Sequence, residues 1–316
     1  MFSVVIPLYN KAPYIGKAIK SVLGQQFNAF ELIIVDDGST DGGTEVVEKF
    51  IDLRIHLIRQ DNAGVSTARN NGVKAAKYDY IAFLDADDWW DENYLQSMFS
   101  LIKKYPDAAL WAAKYYKVKH GRNIEANIGL DKGFKDGYID YFKVYARTMW
   151  MPITSSSFII RKDSFEQVGG FNHILKFGED FYLWLHIALK YKMAYLNKPL
   201  VYYNQDVDVQ QRAVGGQRLW EPRHHYIFNL DGLKAAETAL KTLLDKMRLN
   251  ALLRYRLSRA YPEDYRKELN KIDFDSQPLH WKLKYQAPLW MVRSWFALKK
   301  LGSAAKTKLI KIKPSE

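Results

Sequence analysis

Along the first ninety residues, short continuous apolar runs alternate with segments whose apolar positions recur every three or four residues. Residues 3–7, 31–35, 55–59 and 80–84 are predicted strands. Residues 14–25, 41–50 and 67–76 are predicted helices, the first carried by Tyr14, Ile15, Ala18, Ile19, Val22 and Leu23. Strands apolar on both faces, alternating with amphipathic helices, predict a parallel sheet covered on both sides and joined by right-handed crossovers. Ligands of such sheets bind beyond the carboxyl ends of the strands.

The remaining chain is less regular. Helices are expected over 92–105, 162–168 and from Phe177 to Leu189, and strands over 108–118, 155–161 and 198–203. Residues 119–133 are polar and glycine-bearing, a loop or hairpin suited to a mobile lid, and 204–217 form a second polar loop. Leucine and alanine spacing predicts helices over 230–257 and 265–272, packed on the catalytic region or on a second copy in a homodimer.

Composition narrows the class. The 316 residues are 48% hydrophobic, enough for two domains or one enlarged α/β domain. The chain opens directly on a strand, so no export signal is expected, and no apolar run approaches the roughly 20 residues of a membrane span. The absence of cysteine excludes disulfides and thiolate metal sites and is compatible with a reducing cytosol. The net charge of +12 is unevenly placed. Residues 276–316 hold nine lysines and arginines against Glu316 alone, interleaved with Trp281, Tyr285, Trp290, Trp295 and Phe296. Such a mixture suits peripheral contact with an anionic membrane surface, the alternative being a tail folded onto the core. Nothing upstream resembles a nucleic-acid reader, and no nucleic-acid partner is expected.

Candidate chemistry starts with Asp85, Asp87 and Asp88, three carboxylates within four residues at the end of the fourth strand. Like charges this close raise one another's pKa, and a divalent cation reverses that effect. Hard oxygen donors suit Mn2+ or Mg2+. The competing reading makes Asp87 and Asp88 caps of the helix that begins near Asp91. Tyr9 and Asp37 also follow strand ends, so a stacking ring, an acceptor for a base N–H and metal-binding carboxylates should share one crevice, which suits a nucleoside diphosphate. Neither GxxxxGK[ST] nor GxGxxG occurs, so a metal has to neutralise the phosphates.

Five stretches in order, Val4-Val-Ile-Pro7-Leu-Tyr9-Asn10, Ser21-Val-Leu-Gly-Gln25, Ile34-Val-Asp36-Asp37-Gly38-Ser39-Thr40-Asp41, Asn62-Ala-Gly64 through Arg69-Asn70-Asn71-Gly72, and Phe83-Leu-Asp85-Ala-Asp87-Asp88, resemble the family 2 glycosyltransferases of the GT-A fold. The resemblance implies an α/β, Rossmann-like mixed, mainly parallel sheet with helices on both faces and a helical C-terminal extension. Residues 1–90 would form the nucleotide-sugar-binding half and 91–218 the acceptor-binding half of a catalytic domain, with 219–316 as the extension. It implies an inverting, non-processive transferase that moves one sugar from a nucleoside diphosphate sugar, by family habit a UDP-sugar, to a glycan or lipid-linked acceptor of cell-envelope polysaccharide synthesis. The enzyme would be cytoplasmic, with peripheral contact on the inner membrane face.

By the same resemblance, Pro7, Tyr9, Asn10, Asp37, Arg69, Asp85 and Ala86 bind the nucleotide sugar, Asp87 ligates Mn2+ or Mg2+, and Asp88 is left as the helix cap. An ion pair of Arg69 with Asp36 or Asp37 is the structural alternative. Glu179 and Asp180 open an apolar helix, where acids commonly serve the macrodipole. The resemblance instead makes Asp180 the base that takes the acceptor proton. Glu179 is read as a neighbour that binds acceptor or shapes the turn. Arg212, which the resemblance does not reach, is read as an acceptor contact or a residue folding over the diphosphate, the alternative being a plain surface loop. Two departures stand out: no histidine occurs in the loop after residue 204 until His224 and His225, and the QxxRW motif of processive polymerases is missing. The rival from another class is a non-catalytic nucleotide-sugar-binding module.

Overall fold

The computed structural model describes residues 1–208, 219–233 and 238–296. The chain divides into two compact units, Met1–Leu243 and the part from Leu244 onward.

The first unit begins with the alternation read from the sequence: β1 (Phe2–Leu8), α1 (Ala12–Leu23), β2 (Phe30–Asp36), α2 (Gly43–Glu48), β3 (Ile55–Arg59), α3 (Val65–Ala75) and β4 (Tyr80–Phe83). After it come β5 (Trp89–Trp90), α4 (Tyr94–Lys104), β6 (Ala108–Lys119), β7 (Arg122–Glu125), β8 (Asp136–Ile139), α5 (Tyr141–Thr148), β9 (Phe158–Arg161), α6 (Lys162–Gln167), α7 (Glu179–Lys190) and β10 (Lys192–Asn204). One sheet runs in the order β3-β2-β1-β4-β9-β6-β10-β5, with β7 added to β6 and β8 to β10. Strands β3, β2, β1 and β4 are mutually parallel, β9 is antiparallel to both β4 and β6, and β10 is parallel to β6. The architecture is the expected mixed α/β sheet with helices. Residues of β1 and β2 are buried along their whole length, as strands covered on both faces must be.

Several elements differ from expectation for local reasons. The last strand starts at Lys192 rather than 198, and its pairing with β6 shifts register between Leu196 and Val201, around Lys198 and Pro199. That irregularity breaks the period-two pattern. The segment 119–133 opens as a β6–β7 hairpin, turned through His120 and Gly121 at φ 51° and 67°. Strands β5 and β8 and helix α5 carried no legible period of their own. Of the expected helix 230–257, Thr238–Ser258 is helical and 231–232 form a turn, while 234–237 lie outside the described residues.

The second unit holds most of α8 (Thr238–Ser258), α9 (Pro262–Leu269) and α10 (Leu279–Gln286). Its interior contains an ion pair, Arg248 Nε to Glu268 Oε2 at 3.0 Å with both side chains buried. Tyr285 donates its hydroxyl to Leu249 O at 2.6 Å. None of the helices among the described residues is long and apolar enough to cross a membrane.

The approach of α3 to β1 fixes the start of the functional region. A side chain at Gly72 would place its Cβ 2.3 Å from Val5 Cγ1. Alanine improves helix propensity by about 1 kcal/mol, whereas overpacking costs about 1–3 kcal/mol. Gly72→Ala is therefore expected to lower stability in urea denaturation, and a gain in stability would contradict the packing described.

Candidate functional site

The turn after β4 sends three carboxylates in three directions. The amide of Asp88 donates to Asp85 O at 3.0 Å and closes the turn. Asp85 Oδ1 accepts from Arg69 Nη2 on α3 at 2.6 Å. Asp87 Oδ2 pairs with Lys11 Nζ, just before α1, at 2.6 Å. Asp88, 1% exposed, accepts from Ser156 Oγ at 2.5 Å and from the amide of Asn204 at 2.8 Å. Each acid thus ties the turn to a different segment. The expectation that Asp88 caps a helix is corrected: α4 starts at Tyr94 behind Asn93, and Asp88 fastens β9 and β10 to the turn instead.

Burial pushes the Asp87 carboxyl up; Lys11 opposes that and Asp85 adds to it. Asp88 lies well above the usual carboxylate range, through burial first and then the charges of Asp87 and Asp85. Three acids in one turn are thus held against their mutual repulsion by fixed cations and hydrogen bonds.

Arg69 links this turn to the second acidic segment. It is 3% exposed, and besides Asp85 it donates Nη1 to Glu179 Oε1 at 3.2 Å, with its guanidinium carbon 4.9 Å from the Phe171 ring centroid. Burial disfavours its charge, but Asp85 and Glu179 outweigh that and hold it more firmly protonated than usual. The alternative pairing with Asp36 or Asp37 is not formed.

The neighbouring Asn70 clamps the same segment, donating Nδ2 to Phe171 O at 2.8 Å and accepting from the Phe171 amide at 3.0 Å. Seven residues on, Gly178 adopts φ 78°, and a Cβ there would lie 2.1 Å from Tyr226 Cδ1. Only glycine permits that turn into α7. Gly178, not an acid, is the N-cap.

Asp180 is half-buried, and its Oδ1 accepts from the Phe181 amide at 2.7 Å. Burial, then the adjacent Glu179, push its carboxyl up to about 7, opposed by the Phe181 amide and Arg69. A carboxyl poised there can take a proton near neutral pH. Tyr226, Tyr145 and Tyr141 all feel its charge and surround it with low-polarity rings. Burial, then the charges of Asp88, Asp85, Asp180 and Asp87, push the Tyr203 hydroxyl on β10 up, so this side chain lies near both acidic groups.

Just past the end of β1, on the same sheet edge as the Asp85 turn, Tyr9 is 48% exposed. Pro7 and Ala86 are buried. Asn10, at φ 49°, accepts from the Thr40 amide at 2.8 Å and joins the loops after β1 and β2. Asp37, 2% exposed, accepts from Gln60 Nε2 at 2.7 Å and from the amides of Ala63 at 2.8 Å and Gly64 at 2.9 Å. A carboxylate has about four acceptor positions, so one remains. Arg212 lies outside the described residues.

For a hard divalent cation, Asp85 and Asp87 supply carboxylate oxygen on side chains 27% and 21% exposed. No group of three or more candidate ligands occurs among the described residues. Two carboxylates would leave the other positions of a Mg2+ or Mn2+ ion to phosphate oxygen and water. Four contributors escaped sequence reasoning: Lys11, Asn70, Ser156 and Tyr203. Lys11 and Asn70 lie beside or inside the motifs, and a charge directly after Asn10 was the available signal for Lys11. Ser156 and Tyr203 gave none, because their roles depend on β9 and β10 meeting the turn.

Residues 3–169 match the model of glycosyl transferase family 2. The glycosyltransferase GlyA of Streptococcus pneumoniae is 32% identical over 211 residues, 64% of this chain and 30% of that protein. GlyG of the same organism is 34% identical over 119 residues, 37% of this chain and 39% of that protein. A Bacillus subtilis glycosyltransferase named for teichuronic acid biosynthesis, TuaG, is 39% identical over 105 residues, 32% of this chain and 42% of that protein. The stretch matched spans less than half the length of each of these relatives. Among solved structures, S. aureus TarS 1–349 in complex with UDP-GlcNAc superposes with a TM-score of 0.63 at 20% identity, over 85% of this chain and 79% of that one. At that identity the likeness is one of fold.

The raised carboxyl of Asp180 has a signature in stability. Its folded pKa, about 7, lies above its ordinary value of 3.8, so between those values the unfolded chain releases the proton and the folded chain keeps it. Stability contributed at this position therefore falls as pH rises through that window. Asp180→Asn is expected to melt higher than wild type at pH 8, with the difference shrinking toward pH 4. Equal melting at pH 8 would contradict the burial of this acid.

Proposed function

Since this chain belongs to glycosyl transferase family 2, we propose that it moves a single sugar from a nucleoside diphosphate sugar to an acceptor hydroxyl, with inversion at the anomeric carbon. The observation that carries this reading is the Arg69 bridge, which brings Asp85 from the end of β4 to within one side chain of Glu179 and hence of Asp180. Residues 1–90 then hold the nucleotide and 91–218 the acceptor.

In this reading the base stacks on Tyr9, and Asp37 gives its remaining acceptor position to a base N–H. Pro7, Asn10 and Ala86 shape the pocket, and Asp85 meets the ribose. Uracil is the base we favour, because the TarS structure of the same fold was solved with UDP-GlcNAc. Asp87 would hold Mn2+ or Mg2+, which when bound supplies charge neutralisation for the leaving diphosphate. Asp180 accepts the acceptor's hydroxyl proton as the oxygen bonds to the anomeric carbon and the bond to phosphate breaks. A single carboxylate suffices because the diphosphate leaves as an anion and needs no proton, unlike the leaving group of a glycosidase. Glu179 and Arg212 are assigned to the acceptor, and Arg69 keeps Glu179 in place.

The acceptor is read as a growing glycan or a lipid-linked precursor of an envelope polysaccharide, which the name of TuaG supports. The absence of QxxRW supports addition of single sugars. We also extend the reading to a peripheral contact with an anionic bilayer at the cytoplasmic face. Leu279 and Leu283 are 70% and 56% exposed, and Trp290 and Trp295 are 68% and 45% exposed, among Lys282, Lys284 and Arg293. Exposed apolar and indole side chains beside lysine fit an anionic interface.

Asp180→Asn is expected to lower transfer about 10²- to 10⁴-fold while UDP still raises the melting temperature. Asp87→Ala is expected to lose the Mn2+ dependence of that thermal shift. Full transfer by Asp180→Asn would remove Asp180 as the base, and donor binding without transfer across a panel of glycan and lipid-linked acceptors would support a binding module. For the bilayer contact, the protein should float with phosphatidylglycerol vesicles and not with phosphatidylcholine vesicles. The double variant Trp290→Ser, Trp295→Ser should float less, and equal flotation would exclude these residues from the contact.

A further inference from the structure

The carboxylate assigned to the metal already holds a cation that belongs to the chain. Lys11 Nζ lies 2.6 Å from Asp87 Oδ2, and the two side chains are 13% and 21% exposed. The lysine backbone is fixed, its carbonyl accepting from the amides of Tyr14 at 2.9 Å and Ile15 at 3.0 Å, so only the flexible side chain can move. We propose that Lys11 is a transferable counter-ion: it keeps Asp87 neutralised in the free protein and passes to an oxygen of the nucleoside diphosphate when metal and nucleotide are bound together. The inference rests on Asp87 being the metal ligand.

The charge arithmetic supports a transfer over a shared site. An ammonium and a divalent cation on one carboxylate repel each other at contact distance. The sugar donor carries two negative charges, which one divalent ion cancels, whereas the nucleoside diphosphate that leaves carries about three near neutral pH, one more than the ion can cancel. The ammonium released from Asp87, on a flexible four-carbon stem, is the cation available to answer the remaining charge. A static structural ion pair would behave differently. It would stabilise the fold, and the coupling of metal to nucleotide through shared phosphate oxygen would not change when Lys11 is replaced.

The consequence is a coupling between two ligands. Metal alone must separate Lys11 from Asp87 with no phosphate in exchange, whereas metal with nucleotide offers the ammonium a phosphate oxygen. Each ligand therefore strengthens the other, by about 5- to 150-fold if the coupling is of ordinary size.

The test uses the full chain, Mn2+ and UDP, with bound Mn2+ read by electron paramagnetic resonance and UDP by titration calorimetry. Wild type should bind Mn2+ weakly alone and about 10-fold or more tightly with UDP present. Lys11→Met should bind Mn2+ alone more tightly than wild type, while its UDP-dependent gain shrinks. Lys11→Gln is measured alongside, so that misfolding of one variant leaves the other to decide. Unchanged Mn2+ affinity and unchanged coupling in the variants would overturn the transfer while leaving the metal reading intact. If Mn2+ and UDP bind wild type independently of each other, the assignment of Asp87 to the metal falls as well.

Discussion

The structure of the site depends on how three like charges are kept within one four-residue turn. Asp85, Asp87 and Asp88 would repel one another if left uncompensated, and each is answered by a partner from a different part of the chain: Arg69 from α3, Lys11 from the start of α1, and Ser156 with the Asn204 amide from the approaches to β9 and β10. The compensation is therefore also the assembly. The two cations leave oxygen of Asp85 and Asp87 partly open, while Asp88 is sealed and acts as a fastener.

Arg69 carries this logic one step further by answering two acids at once. Its guanidinium joins the acid at the end of β4 to the acid beside Asp180, some ninety residues later in the chain. Its neighbour Asn70 holds the backbone of the same segment through both the amide and the carbonyl of Phe171. One turn of α3 thus positions the entrance to α7. The close fit of Gly178 against Tyr226 completes the positioning. Asp180 can then combine partial burial with a fixed direction, which a base that works near neutral pH requires.

The part of this arrangement legible in the sequence is the part built from local pattern. The alternation of β1 through β4 with α1 to α3 follows from apolar runs and helical spacing, and strand ends locate Tyr9, Asp37 and the Asp85 turn on one edge of the sheet. What escaped depends on distant partners. The destination of Asp88 is fixed by Ser156 and Asn204, which lie far off in sequence. Lys11 carries no sign of its target until the turn after β4 is placed opposite it. The start of β10 was hidden by the register shifts around Pro199. The reason for glycine at 178 is an aromatic ring from a segment nearly fifty residues downstream, which no local pattern reveals.

The central claim is that donor binding engages the loops after β1, β2 and β4 together with the entrance to α7, as a single site. Hydrogen–deuterium exchange, comparing the free protein with the protein saturated by Mn2+ and the tightest-binding nucleoside diphosphate of a panel, tests this directly. The account predicts slower exchange in residues 7–12, 36–41, 62–70 and 84–88 and, through the Arg69 bridge, in 176–181. Slowing confined to other surfaces, or slowing of the first loops with no change at 176–181, would contradict it.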